Sequence, residues 1–199
     1  MAPLTREEIL RAAEEVLRRH GPAKTNVVDV ARALNVSHGS VYRHFPSKAA
    51  LREAVAERFL ETVCAPLEDI DDPKEWFDAL IAGKRARAQQ DPELFATYVA
   101  LARESGDVVN RHVDHLIRQL TRIVGDEQTA RALFDATARW HDPRHADEWA
   151  KPGTDDAFEA VWALLAEAMA RPASSASVGR RGDQAMARPA SSAHSSAAR

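Results

Sequence analysis

The chain has 199 residues, a formal charge of -3, 45% apolar and 29% charged residues, ordinary globular values that argue against a disordered chain and against a membrane protein. One cysteine, Cys64, excludes an internal disulfide framework and the zinc sites built from four cysteines or from two cysteines and two histidines. The charge is uneven: residues 1–50 hold eight Lys or Arg against five acids, a balance of +3, so the remainder carries -6, as suits a head that meets a polyanion on an acidic body.

The opening segment is acidic and amphipathic, without the basic stretch and apolar run of a signal peptide, and no run of about 18 apolar residues occurs. A cytoplasmic protein with no membrane partner is the expectation. Nearly every segment up to Ala170 repeats its apolar residues at three and four positions and none alternates like a strand, so the predicted fold is all-α.

A capping box at Thr5 and Glu8 opens a first helix that carries Ile9, Ala13, Val16 and Leu17 on one face and stops at Gly21 and Pro22. A short second helix starts near Asn26, turns Val27, Val30, Ala31 and Leu34 inward and ends at Asn35. A third, capped by Ser37, spans about His38 to His44 and ends before Pro46; Ser47 caps a longer fourth with Leu51, Val55, Phe59, Leu60 and Val63 toward a core. Asp72 with Pro73 and Glu75 starts a helix bearing Trp76, Phe77, Leu80 and Ile81, and Asp91 with Pro92 starts one bearing Leu94, Phe95, Tyr98 and Leu101. After Gly106 comes a strong apolar stripe from Val109 to Ile123, then a helix from about Asp126 to His141 through Ala130, Leu133 and Phe134. A loop with Pro143, Pro152 and Gly153 leads to a last helix opened by Thr154, Asp155 and Asp156. That makes about nine helices. From residue 172 on, the apolar residues are mostly alanine, and the segment AMARPASSA stands at 168–176 and again at 185–193; residues 172–199 are expected to be a disordered low-complexity tail.

Two short helices joined by Leu34, Asn35, Val36 and Ser37 leave no room for independent packing, the arrangement of a helix-turn-helix. Asn35 stands where the turn wants a left-handed backbone, which Asn tolerates. The third helix opens on Ser37, His38, Gly39 and Ser40, short or hydrogen-bonding side chains that permit close approach to a groove and can bond base edges. Tyr42 and His44 follow on its surface, Val41 and Phe45 face inward, and Lys48 supplies a cation for a backbone phosphate, with Thr25 and Asn26 as a second anchor.

In order and spacing, Val30-Ala31, Val36-Ser37, Gly39, Val41-Tyr42, His44-Phe45, Ser47-Lys48 and Leu51 resemble the N-terminal pattern of the TetR family of transcriptional regulators, closely over about Thr5 to Phe59 and in helical layout beyond it. Asn35 departs from the family's usual glycine. The resemblance implies a homodimer whose third helices enter successive major grooves of a double-stranded operator with inverted symmetry, with Tyr42 and Lys48 on phosphates and Ser37, His38 and Ser40 nearest the bases. It also divides the chain into a DNA-binding head, 1–50, a helical effector-binding and dimerisation body, 51–171, and the tail.

The body's aromatic residues Phe59, Trp76, Phe77, Phe95, Tyr98 and Phe134, with His112, are the candidate lining of an effector cavity, and their number suits an apolar or aromatic small molecule. Phe158, Val161, Trp162, Leu165 and Met169 on the last helix are the candidate dimer seam, a stripe that would serve an internal core equally well. His112 with His115, and His141 with His145, lack the further ligands of a tetrahedral site, so neither metal nor cofactor is expected. Cys64 among apolar residues reads as an inert thiol. The adjacent pairs Glu14-Glu15 and Asp155-Asp156 do not face each other on a helix, and no nucleophile, base or phosphate loop at useful spacing suggests an enzyme. A repressor released from its operator by a small-molecule effector is the expectation; a regulator that activates, or that answers to a protein partner through the same head, is the alternative.

Overall fold

The computed structural model describes residues 3–24, 26–103 and 107–171. Among these the chain forms ten α-helices, two 3-10 turns and no strand. The helices are α1 (Arg6–Lys24), α2 (Val27–Ala33), α3 (His38–Tyr42), α4 (Lys48–Cys64), α5 (Pro73–Gln90), α6 (Pro92–Arg103), α7 (Asp107–Val124), α8 (Glu127–Ala136), α9 (Ala138–His141) and α10 (Thr154–Ala170). The 3-10 turns are Ala65–Leu67 and Pro143–Glu148. No helix of the described residues is long and apolar enough to cross a membrane. The expected tail, 172–199, lies outside the described residues, as does Gly106.

The helix starts follow the capping residues. Thr5 and Glu8 close a reciprocal box, Glu8 N–H donating to Thr5 Oγ1 at 3.2 Å and Thr5 N–H to Glu8 Oε2 at 2.8 Å. Asn26 Oδ1 accepts from Val28 and Asp29 N–H at 2.8 and 3.1 Å, Ser47 Oγ from Ala50 at 3.0 Å, Asp72 from Glu75 at 2.8 Å and Asp126 from Thr129 at 2.7 Å. Each such cap stabilises its helix by about 1 kcal/mol. The backbone of α1 leaves helical geometry at Gly21, with φ 71° and ψ 166°; a side chain there would be strained by the positive φ and would meet Glu93 Oε2 at 3.2 Å. Asn35 carries φ 54°, the only positive φ outside glycine among the described residues, and so makes the α2–α3 turn tight.

Two boundaries differ from expectation. The third helix ends at Tyr42, so His44 sits in the turn that follows, its carbonyl accepting from Arg6 Nη1 at 3.5 Å. The helix expected to run to His141 breaks at Thr137, where the Phe134 carbonyl takes side-chain donors, Thr137 Oγ1 at 3.3 Å and His141 Nε2 at 3.1 Å, in place of the backbone ladder. That break makes ten helices rather than about nine.

The buried residues form two clusters. One gathers Ile9, Ala13, Val16, Val27, Val30, Val41 and Phe45 from α1–α3 and the turn after α3 with Leu51, Val55 and Phe59 of α4, then takes in Phe95, Tyr98 and Leu101 of α6 and Trp149. The other gathers Val63 and Cys64 at the end of α4 with Trp76, Phe77, Leu116, Leu120, Phe134, Trp140, Phe158 and Trp162. Helix α4 runs through both, and α6 lies against α1. Ion pairs tie the same helices: Arg58 of α4 bridges Glu7 and Glu14 of α1, and Arg18 of α1 holds Asp91 at the start of α6 at 2.7 Å.

Candidate nucleic-acid interface

Helix α3 is held from beneath by Val41 and Phe45, both buried, while its other residues face out. Ser37 Oγ caps it by accepting from Ser40 N–H at 3.2 Å and lies 2.9 Å from Ser40 Oγ. His38, Gly39 and Tyr42 are exposed, Tyr42 at 44%, and the His38 and Tyr42 rings stand edge to face at 6.3 Å. An exposed phenol of this size beside a basic residue is a surface made for contact. Arg43, which the sequence reading passed over, is exposed next to Tyr42 and reaches Ser40 Oγ with Nη2 at 3.4 Å; its signal was a cation inside the helix-turn-helix segment, on the same surface as the serines.

Gly39 is informative because the fold does not need it. A Cβ there would meet only Ser37 Oγ, at 3.8 Å, an ordinary contact, and the backbone is helical. Glycine in a helix costs about 1 kcal/mol against alanine.

Lys48 opens α4 on the same end of the molecule and is exposed. It shares a narrow crevice with Asn26, Ala13 and Leu51 where the start of α2 meets α4. Asn26 spends its side-chain oxygen on capping α2, which leaves its amide for an outside acceptor. Thr25 lies outside the described residues. Of these residues Ser37, His38, Gly39, Tyr42, Arg43, Asn26 and Lys48 are exposed, and Ser40 and His44 are half-buried.

The body holds its candidate residues inside. Phe59, Trp76, Phe77 and Phe95 are buried in the two cores. Tyr98 and Phe134 line a cleft of about 150 Å³ with Lys84 and His141. His112 lines another of about 410 Å³ between α4 and α7, with Cys64, His115 and Arg111. His112 Nδ1 lies 3.4 Å from Cys64 Sγ, and its Nε2 is buried without a partner. Burial pushes the Cys64 thiol up to about 11 and His112 well below the usual imidazole range, so the thiol is protonated and the ring neutral at pH 7. Among the described residues no group of three His, Cys, Asp or Glu could hold a metal ion.

On α10, Phe158 and Trp162 face the chain's own core, Trp162 stacking near Phe77 at 5.6 Å and Phe158 near Trp140 at 5.4 Å. Val161 and Leu165 are half-buried, and Met169 is exposed together with Leu164, which is 69% exposed.

Comparison with known proteins fits this geometry. Residues 9–55 match the model of bacterial regulatory proteins of the tetR family, and residues 74–162 match the tetracyclin repressor-like C-terminal domain. The nucleoid occlusion factor SlmA of Aliivibrio fischeri is 34% identical over 97 residues, 46% of this chain and 50% of that protein. The HTH-type transcriptional regulator TtgR of Pseudomonas putida is 38% identical over 58 residues, 29% of this chain and 28% of that protein. The chain thus spans half or less of the length of these relatives. Among solved structures, BioQ with its natural double-stranded DNA operator superposes with a TM-score of 0.59 at 23% identity, covering 82% of this chain and 99% of that one, a likeness of fold. The chain belongs to the TetR family of bacterial regulatory proteins, with the family's helix-turn-helix at its N-terminal end.

Proposed function

We propose that the protein is a repressor that binds an inverted-repeat operator as a homodimer and lets go when a small molecule enters its body. The observation that carries the reading is the outward surface of α3, where His38, Ser40 and Tyr42 flank a glycine that the fold itself does not require. Ser37, His38 and Ser40 read base edges in the major groove, while Tyr42, Arg43, Lys48 and Asn26 hold phosphates.

Dimerisation follows from α10. Leu164 and Met169 expose apolar surface on this helix, with Val161 and Leu165 at its margin, and a second copy is the self-complementary way to cover it. Phe158 and Trp162 stiffen the helix from within. Release uses the packing of the body on the head. A ligand that parts α6 from α5 and α7 displaces α1 through the α6 packing and the Arg18–Asp91 pair, and α4 carries the same shift, so the two α3 helices no longer match half-sites about 34 Å apart. The ligand need only bind the two arrangements unequally.

A reporter gene under a promoter that overlaps the selected operator tests the sign of regulation. Repression predicts low expression with the chain present and recovery on its deletion. Expression that falls on deletion overturns the repressor reading in favour of an activator. The 97-residue likeness to a nucleoid occlusion factor, which extends beyond the head, favours one second reading, a DNA-bound protein governed by a protein partner. Co-purification of a defined partner whose addition, without a small molecule, releases the operator would establish it.

A further inference from the structure

Lys84 is buried, 3% exposed, in the middle of α5. Its Nζ donates to the His141 carbonyl at 2.9 Å and stands 5.8 Å from the Tyr98 ring centre. An ammonium has three N–H groups, and this one has a single hydrogen bond in the protein. Asp142, the acid whose charge reaches it, is turned away: its carboxylate accepts from Arg144 Nε at 3.0 Å on both oxygens and from Arg144 N–H at 2.9 Å. A buried cation left with open donors is expensive to the fold, and Lys84 lines a cleft.

The wall beside it offers the complementary handle. His141 Nε2 lies 3.1 Å from the Phe134 carbonyl, an acceptor, so Nε2 carries the ring proton and Nδ1 presents a lone pair. That Nδ1 is buried and without a partner. Ala102, Val109, Val113 and Phe134 add apolar lining, and Asn110 with the paired Asp142 and Arg144 adds polar lining.

We propose that this cleft binds a small carboxylate carrying a neighbouring hydroxyl, the carboxylate on Lys84, the hydroxyl donating to His141 Nδ1 and the carbon skeleton against Phe134 and Val113. The proposal rests on the reading of the body as an effector domain and names the ligand class. Burial lowers the Lys84 ammonium only to about 8, so it stays charged at neutral pH, while His141, held down to about 3, stays neutral. Position ties the site to the head: Tyr98 and Ala102 bound it on α6, and the Tyr98 ring belongs to the core shared with α1.

The test is calorimetric titration of the full chain, without DNA, with lactate, 3-hydroxybutyrate, mandelate and salicylate, each beside its primary amide and its counterpart lacking the hydroxyl. At least one acid is expected to bind about tenfold or more tightly than its amide and than the counterpart. Lys84→Met removes a buried charge without opening a void, and should keep the native circular dichroism while losing the preference for acid over amide. Equal binding of acid and amide, the same preference in Lys84→Met, or no binding by any acid up to about 1 mM overturns the proposal. Equal binding of acid and des-hydroxy counterpart overturns the hydroxyl assignment. Operator binding of wild type and Lys84→Met is measured in the same preparations: failure of the wild type there removes the regulator reading, whereas failure of the acids alone removes only the ligand class.

Discussion

Head and body bury different chemistry. Among the described residues, every buried polar or charged side chain (Lys84, Thr97, His112, Gln119, Thr137, His141 and Thr154) lies beyond residue 83, and none lies in α1–α4. The head packs Ile9, Val27, Val30, Val41 and Phe45 beneath a polar outer surface; the body packs aromatic rings around inward-facing polar groups. Buried polar groups are costly where they lack partners. In the body Thr97, Gln119, Thr137 and Thr154 have partners, whereas His112 and His141 each keep a ring nitrogen without one.

The largest effect expected is on the body's aromatic core. Phe77 is fully buried against Trp76, His141 and Trp162, and Phe77→Ala should cost about 3–5 kcal/mol of folding stability. Because α4 serves both cores, melting followed by far-ultraviolet circular dichroism and by tryptophan emission should coincide; a helical transition that outlasts the emission change would divide head from body.

Acid sharpens the contrast next. His112 and His141 are neutral in the folded body, while in the unfolded chain an imidazole takes a proton near 6.5. The unfolded state then binds more protons below that value, so stability is retained at neutral pH and falls as pH drops through 6.5, on the order of 1 kcal/mol per pH unit for each histidine. Thermal melts from pH 7.5 to 5 measure this, and His141→Gln should lessen the slope. An unchanged slope would locate the acid sensitivity outside that histidine.

On the head, Lys48→Ala should weaken every duplex alike and reduce the salt dependence, whereas His38→Ala should cost about 1–3 kcal/mol at its base and relax preference there. Fluorescence anisotropy on specific and scrambled duplexes separates the two. Uniform weakening by His38→Ala would remove it from the reading surface. The smallest effect is the most pointed: Gly39→Ala should raise stability by up to about 1 kcal/mol and still weaken operator binding, since the added methyl is tolerated by the chain and not by the groove. A variant that is stabilised and binds unchanged would mean that the bare backbone at 39 has no role in contact.

The head was legible because its signals are local. Caps at Thr5, Asn26, Ser37 and Ser47 act within three residues, and the positive φ of Asn35 belongs to the turn itself. The body was legible only as helices. Lys84 meets the His141 carbonyl across 57 residues; its place after Phe77, Leu80 and Ile81 puts it on the buried stripe of α5, but a cation does not announce its partner in the sequence. Aromatic residues marked the core instead, and only Tyr98 and Phe134 of them line the Lys84 cleft. The Thr137 break depends on side chains choosing the Phe134 carbonyl, and the outward turn of Leu164 on which side of α10 the body covers. Both are decided by packing.

The most direct measurement is selection of bound duplexes from a random pool by the purified protein at a stated salt concentration. An inverted repeat whose half-sites lie about one helical turn apart is the predicted result. Recovery of duplexes with no shared sequence would contradict the claim that α3 of this chain reads an operator.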